Sequence, residues 1–360
     1  MKQTKKTLTT TIFAGIFLAS VSVFAGNKDR AGTAGASELL VNPWARTSGW
    51  GSSNVAGVRG LEGQFLNVAG LAFTKKTELL FSRTNYMKGS GTNINAFGFS
   101  QKVGASGVLG FGLMSMGFGD IKVTTTELPD GGLGNYNISF INAAVSYSRG
   151  FTDNIFGGMN LRVINQAIPN AKAGGIAIDA GIQYVAGKFN NAKFGIALKN
   201  VGPKMQFKGD GLSSVQVFTN NDKPYTVDQR TEAFELPSQV NIGGAYDIYL
   251  SDTASKSHRI TLAGAFIANA FGKDEARFGF EYAFKSMLMV RAGYGYEKGI
   301  GNDDISKEDY RTSANKGLSA GFTLELPLSK EKGSTVGLDY SYRATNPFSG
   351  THCIGLRLNL

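Results

Sequence analysis

The sequence predicts an all-β fold, a transmembrane antiparallel β-barrel of about fourteen strands with an N-terminal hatch or plug segment. Three observations carry this prediction. Glycine supplies 48 of the 360 residues, Phe 25 and Tyr 13, but Pro only 8. Segments of roughly 10–15 residues alternate between apolar and small or polar residues with period 2. The three longest connections between them all fall on one rim, as the outer loops of a barrel do. The glycine content disfavours helices, at ~1 kcal/mol per helical site relative to Ala. The aromatics exclude a disordered chain, and the glycines follow no G-X-Y period, which excludes collagen.

The chain opens with an address. Lys2, Lys5 and Lys6 precede the apolar run IFAGIFLASVSVFA at 12–25, which ends in a Val-x-Ala pattern. A basic start, a short apolar stretch and a small-residue site together read as a secretory signal peptide. The run is shorter than the ~20 residues a spanning helix needs. Residues 1–25 hold three lysines and no acid, so the remainder carries +7 rather than the full chain's +10. That charge is scattered, forms no basic stripe, and gives no reason to expect a nucleic-acid partner.

Residues 26–77 are rich in Gly and Ala and alternate poorly. A barrel of this strand number has room for an inserted segment. This segment is expected to plug the lumen from the periplasmic side, with Trp44, Arg46, Trp50 and Asn67 as its candidate functional residues.

The barrel is expected over 78–360. Strands are expected at 78–87, 93–103, 107–119, 136–149, 155–167, 174–188, 192–201, 236–250, 257–270, 275–285, 287–298, 315–327, 334–344 and 351–360. In 174–188, Ile176, Ile178, Ala180, Ile182 and Tyr184 fall on one face, and Ala177, Asp179, Gly181 and Gln183 on the other. Such segments exceed the usual ~5–6 residues of globular strands. Tyr86, Tyr147, Tyr184, Phe284, Tyr296 and Tyr342 fall near segment ends, where interfacial girdles lie. The last residues, 356–360, read as an insertion signal without the common terminal aromatic.

The three longest connections are 120–135, 202–235 and 299–314, the third, seventh and eleventh in order. All are odd, so all lie on one rim. Outer-membrane barrels have long outer loops and short periplasmic turns, which puts both barrel termini on the periplasmic side. The loop 202–234 offers the largest surface constrained by neither lipid nor lumen. Lys204, Phe207, Phe218, Tyr225 and Arg230 are its candidate partner-contact residues.

Catalytic, metal and cofactor sites are not expected. The chain has one cysteine, Cys353, and two histidines, His258 and His352, too few for a His-cluster zinc site. Gly317-Leu318-Ser319-Ala320-Gly321 matches a nucleophile elbow, with Asp339 and His352 following. The elbow needs a helix after its turn, whereas FTLELPL continues a strand. Asp303, Asp304, Glu308 and Asp309 lack the EF-hand order and read as a solvated loop. Inward Arg162, Arg291 and Arg357 suggest ion pairs with Asp179 or Glu281, or contacts with an anion or the plug.

Several blocks carry a family resemblance. AGTAGASELLVNPWARTSGWGSSNVAG (31–57) resembles the opening of the PorV/PorQ family of Bacteroidota outer-membrane proteins, G…L…ARxxGMGxxxVA. Ala45-Arg46 and Gly49-Trp50-Gly51 stand at its Ala-Arg and Gly-Met-Gly positions. LNVAGLA (66–72) stands at the family's NPAGLA, with Val68 in place of Pro. LKNVGPKM (198–205), ELPSQVNIGGAY (235–246), RFGFEYAF (277–284), MVRAGYGYEKG (289–299) and GLDYSYRATNPFSGTHCIGL (337–356) follow in the family's order. The resemblance implies a FadL-like barrel in the outer membrane. It also implies a non-enzymatic role in type IX secretion, binding a large translocon barrel, other secretion-system subunits or the C-terminal domains of secreted cargo. The alternatives are a FadL-type transporter of hydrophobic small molecules and a soluble secreted β-sandwich.

Overall fold

A computed structural model of the protein describes residues 30–217, 223–250, 257–304, 310–329 and 333–360. The expected leader at 1–25, Phe218, Glu308 and Asp309 lie outside the described residues.

Among the described residues, sixteen strands follow one another along the chain. They begin with β1 (Thr77–Asn85), β2 (Asn93–Val103), β3 (Gly107–Lys122) and β4 (Asn135–Gly150). Next come β5 (Ile155–Ile168), β6 (Ala171–Ala186), β7 (Ala192–Val201), β8 (Ser213–Val217) and β9 (Pro224–Asp228). Then follow β10 (Gln239–Tyr249), β11 (His258–Asn269), β12 (Glu275–Phe284) and β13 (Leu288–Glu297). The chain closes with β14 (Asn315–Ser329), β15 (Ser334–Thr345) and β16 (Thr351–Asn359). Fourteen of these close a barrel in which β1 pairs with both β2 and β16. Every barrel pair is antiparallel, and β7 pairs directly with β10 because β8 and β9 form a separate hairpin. That hairpin is the one departure from the expected strand count, and it lies inside the long loop.

The period-2 pattern explains the wall. On β6, Ile182 is 58 % exposed while its neighbour Gln183 is fully buried. Ile176, Ile178 and Tyr184 also point outward, and Ala177 and Asp179 inward. The same parity exposes Ile242, Leu324 and Ile354 on other strands. An apolar outer band with a polar interior is the inverse of a soluble sandwich and suits a bilayer. Tyr147, Tyr184, Phe284, Tyr296 and Tyr342 stand exposed near strand ends. Tyr86 differs from the expectation. It turns inward and packs against the buried cluster that includes Ile94 and Met116, because apolar partners are available inside the barrel there.

The connections 123–134, 202–238 and 298–314 lie on one rim, and turns such as 104–106 and 285–287 on the other. Thr77 and Leu360 meet at the short-turn rim, where the Leu360 amide donates to the Thr77 carbonyl at 2.9 Å.

The segment before β1 runs through the barrel from rim to rim. It begins at the long-loop rim, where Arg30 pairs with Glu235 (2.8 Å) and stacks on Phe271 (4.2 Å). Gly35 donates to the Glu235 carbonyl, and Glu38 accepts from Gln166 on β5 at 2.9 Å. Deeper in the barrel, Ser82 donates to the Pro43 carbonyl at 2.7 Å. A short helix follows at Ala45–Gly49, another at Gly63–Leu66, and a 3-10 turn at Val68–Phe73. The segment leaves at the short-turn rim, where Phe73 packs on Phe156 (4.2 Å) and Thr74 bonds Ser100 (3.1 Å). In place of an entry from one side, the described part of the segment makes a complete passage from the long-loop rim to the short-turn rim. Packing of Ala36 and Leu39 on Met205 and Leu236, the Gly35 bond to the Glu235 carbonyl and the Arg30–Glu235 pair hold that start beside the long loop.

Candidate functional site

The meeting surface of plug and wall is built on missing side chains. Inward-facing Gly98, Gly112, Gly181, Gly243, Gly279 and Gly293 lie against the plug; a Cβ would crowd it at Gly98 and Gly243 and collide with it at the other four. At Gly243 the obstacle is Val55 (3.0 Å), at Gly98 Trp44 and Leu61 (3.3 Å). At Gly112 it is the Gln64 amide, and at Gly293 the Trp50 backbone. Glycine weakens a strand by itself and marks close approach of another chain segment. Here it lets irregular backbone sit against the sheet.

The four candidate plug residues all sit at this surface. Trp44 is buried among Leu61, Phe65, Leu80 and Met114. Trp50 is buried with Ala56, Ala245 and Ala263. Asn67 accepts from the Ala69 amide (3.2 Å) and donates to the carbonyls of Val55 and Ile182 (both 3.1 Å), so one amide ties two plug turns to β6. Arg46 reaches the Met289 sulfur at 3.4 Å.

Ion pairs satisfy most of the buried charge. Arg162 pairs with Asp179 (2.8 Å), and Arg291 with Glu281 (3.0 Å). Arg357 on β16 pairs with Glu62 of the plug and with Asp339 (3.1 Å), while Glu62 also accepts from the Thr47 amide (3.0 Å). Sequence reasoning anticipated Asp179 and Glu281 but missed Glu62. Nothing local marks that residue, because its partner lies nearly three hundred positions away. Burial pushes the Glu38 carboxyl up, against the opposing hydrogen bond from Gln166.

One sector of the interior is apolar. Thr84, Ile94, Met116, Phe140 and Gln166 form one row across β1 to β5, and Ser82, Ala96, Met114 and Asn142 the row below. Phe118 and Phe140 meet edge to face at 4.9 Å. Trp44 and Phe65 close this sector from the plug side, beside a cavity of about 40 Å³ that also reaches Met114 and Asn142. The sequence signal was there, since Leu113-Met114-Ser115-Met116 puts both methionines on the inward parity.

The partner-contact candidates do not form one surface. Lys204 pairs with Glu235 at 3.4 Å. Phe207 packs on Phe234 (5.9 Å) and covers Ala36, Leu39 and Met205, so it is half-buried rather than displayed. Both ends of the loop fold down over the start of the plug, because that start offers an apolar seat. Tyr225, on β9, and Arg230 are exposed.

The elbow-like residues do not meet. Ser319 donates to the Gly49 carbonyl (3.4 Å), Asp339 is held by Arg357 and Thr323, and His352 bonds Tyr340 (2.9 Å). Asp303 pairs with Arg311 (3.1 Å) and Lys316 (3.4 Å), as a solvated loop carboxylate does. Among the described residues, no three His, Cys, Asp or Glu side chains gather as metal ligands would.

No protein-family model matches the chain, and neither does any curated protein. Among solved structures it is similar in fold to the CymD monoaromatic hydrocarbon channel, with a TM-score of 0.51 at 12 % identity over 89 % of this chain and 97 % of that one. It also matches the Pseudomonas putida toluene transporter TodX, with a TM-score of 0.49 at 12 % identity over 84 % and 93 %. A Pseudomonas aeruginosa FadL homologue matches with a TM-score of 0.48 at 10 % identity over 87 % and 96 %. The shared feature is the barrel fold.

Proposed function

We propose that this barrel is an integral outer-membrane channel for small apolar molecules, with the long loops outside and both barrel termini in the periplasm. The observation that carries this reading is the inward apolar sector of Ile94, Met114, Met116, Phe118 and Phe140. Lumen walls are ordinarily polar, whereas this sector is apolar and is covered by Trp44, Leu61 and Phe65 of the plug, so an apolar guest takes the place of plug side chains there. Methionine suits such a surface, being flexible and polarisable enough to fit several shapes. A molecule entering from the long-loop rim gains ~25 cal/mol per Å² of apolar area it removes from water. Trp44 and Phe65 form the floor, so passage requires the plug to shift there. The fold likeness to a monoaromatic hydrocarbon channel supports this reading. Uptake of labelled toluene by intact cells producing the barrel tests it. Uptake equal to that of cells without the barrel would refute it.

A second reading follows from the β8–β9 hairpin, which presents Val215 and Val217 at 67 % and 61 % exposure. Together with the PorV/PorQ-like blocks, it supports a protein-binding role in type IX secretion. In that case deleting 213–228 leaves a folded barrel that no longer co-purifies a translocon or cargo domain. Unchanged co-purification would exclude that role for the hairpin.

A further inference from the structure

A cavity of about 140 Å³ lies between plug and wall, on the side of the lumen away from the apolar sector. Arg46, Arg59, Lys193 and Arg259 all line it, with Glu62 and Glu281 as its acids. The carboxylates of this region are already engaged. Asp247 holds Lys193 at 2.5 Å, and Glu281 is shared between Arg259 (2.7 Å) and Arg291 (3.0 Å). Glu62 is held by Arg357. Arg46 and Arg59 therefore make no ion pair within 4 Å among the described residues, though Glu62, Glu78 and Glu281 act on Arg46, and Asp247 on Arg59, from further off. Arg46 touches the Met289 sulfur. Arg59 lies over the Phe73 ring at 3.5 Å and donates to Gln183 (2.5 Å) and the Val58 carbonyl (3.2 Å).

A half-buried guanidinium without an ion pair of its own is costly to desolvate, and a counter-anion offsets that cost. Burial already lowers Arg59 to about 10. The cavity far exceeds the ~10–15 Å³ that one water requires. Guanidinium forks match the planar O–X–O edges of an oxyanion, and lysine adds a point charge. Lys193 and Arg259 each stand second in their strand at the short-turn rim, so the cavity lies toward that rim.

We propose that this cavity binds one small oxyanion of the phosphate type, held by Arg46 and Arg59 from the plug and by Lys193 and Arg259 from the wall. The bound anion bridges plug and barrel. This goes beyond the channel reading and does not depend on it.

The test uses the full mature barrel folded in zwitterionic detergent and titrated with inorganic phosphate in a calorimeter, with chloride keeping ionic strength constant. One phosphate per chain is expected, with Arg46→Gln and Arg59→Gln each weakening binding by roughly ten-fold or more. Heat-modifiable gel mobility checks that each variant is folded. Arg46→Gln keeps the test decisive should Arg59→Gln not fold, since among the described residues the side-chain hydrogen bond of Arg46 is to Met289 and no close ion pair is lost. Phosphatidylglycerol added to the micelles should leave phosphate binding unchanged. No heat beyond the chloride control, full binding by the folded variants, or displacement by that lipid would each overturn the proposal.

Discussion

Gly293 on β13 lies directly against the backbone of Trp50, with no room for a side chain between them. One hydrogen atom in the wall thus sets how close the plug sits. Replacing it by leucine should force the plug away from β13. Overpacking a filled site costs ~1–3 kcal/mol or more. Gly293→Leu is expected to keep a heat-modifiable barrel while making residues 30–74 sensitive to protease. A plug as resistant as the parent's would contradict this contact.

The one cysteine reports on the same movement. Cys353 is 2 % exposed, and its thiol faces the Pro43 carbonyl at 3.4 Å. A maleimide should leave it unmodified in the folded parent and modify it in denaturant. In Gly293→Leu the rate should rise at least several-fold if the plug moves as one body.

Arg357 joins β16 to the plug through Glu62 and also serves Asp339. Arg357→Met leaves these carboxylates buried without a counter-charge. Removing one partner from such a cluster costs about 3–5 kcal/mol. The temperature at which the folded gel form disappears should fall clearly. Glu62→Gln, which removes a charge yet keeps a polar partner, should lower it less.

The start of the plug is held by a pair that titrates. The hydrogen bond and charge of Arg30 keep the Glu235 carboxyl below its usual 4.5. A lowered folded pKa contributes stability above the unfolded value and loses it as pH falls through the folded one. The tether should therefore hold at neutral pH and loosen below about pH 4. A spin label on Ala31→Cys should gain mobility in that range. The gain should vanish in Glu235→Gln, which is loose at every pH.

Met116→Arg separates the two functional readings. It puts a charge into the row of Ile94 and Phe140, and toluene uptake should fall by roughly ten-fold or more, since an unpaired charge repels an apolar guest. Deleting 213–228 should leave uptake intact. The reverse pattern would favour the secretion reading.

Much of the wall was legible in the sequence because its determinants are local. Ile182 and Gln183 face opposite ways for the same reason that any two adjacent strand residues do. The expected strands at 93–103 and 192–201 match β2 and β7 end for end. The long connections share a rim because strand direction alternates. The β8–β9 hairpin was not legible, since its five-residue strands are too short for their alternation to stand out beside barrel segments of 9–16 residues.

The interior was decided by the tertiary structure. The sequence supplied the excess of glycine, but only the fold shows that Gly98, Gly112, Gly279 and Gly293 lie under the plug. The sequence placed Arg357 inward, but only closure of β16 on β1 brings it to Glu62. The same closure gives Cys353 its contact with Pro43, and the long loop gives Arg30 its pair in Glu235. Period and composition act between neighbours, whereas these contacts join residues from about forty to about three hundred positions apart, and only the closed barrel brings them together.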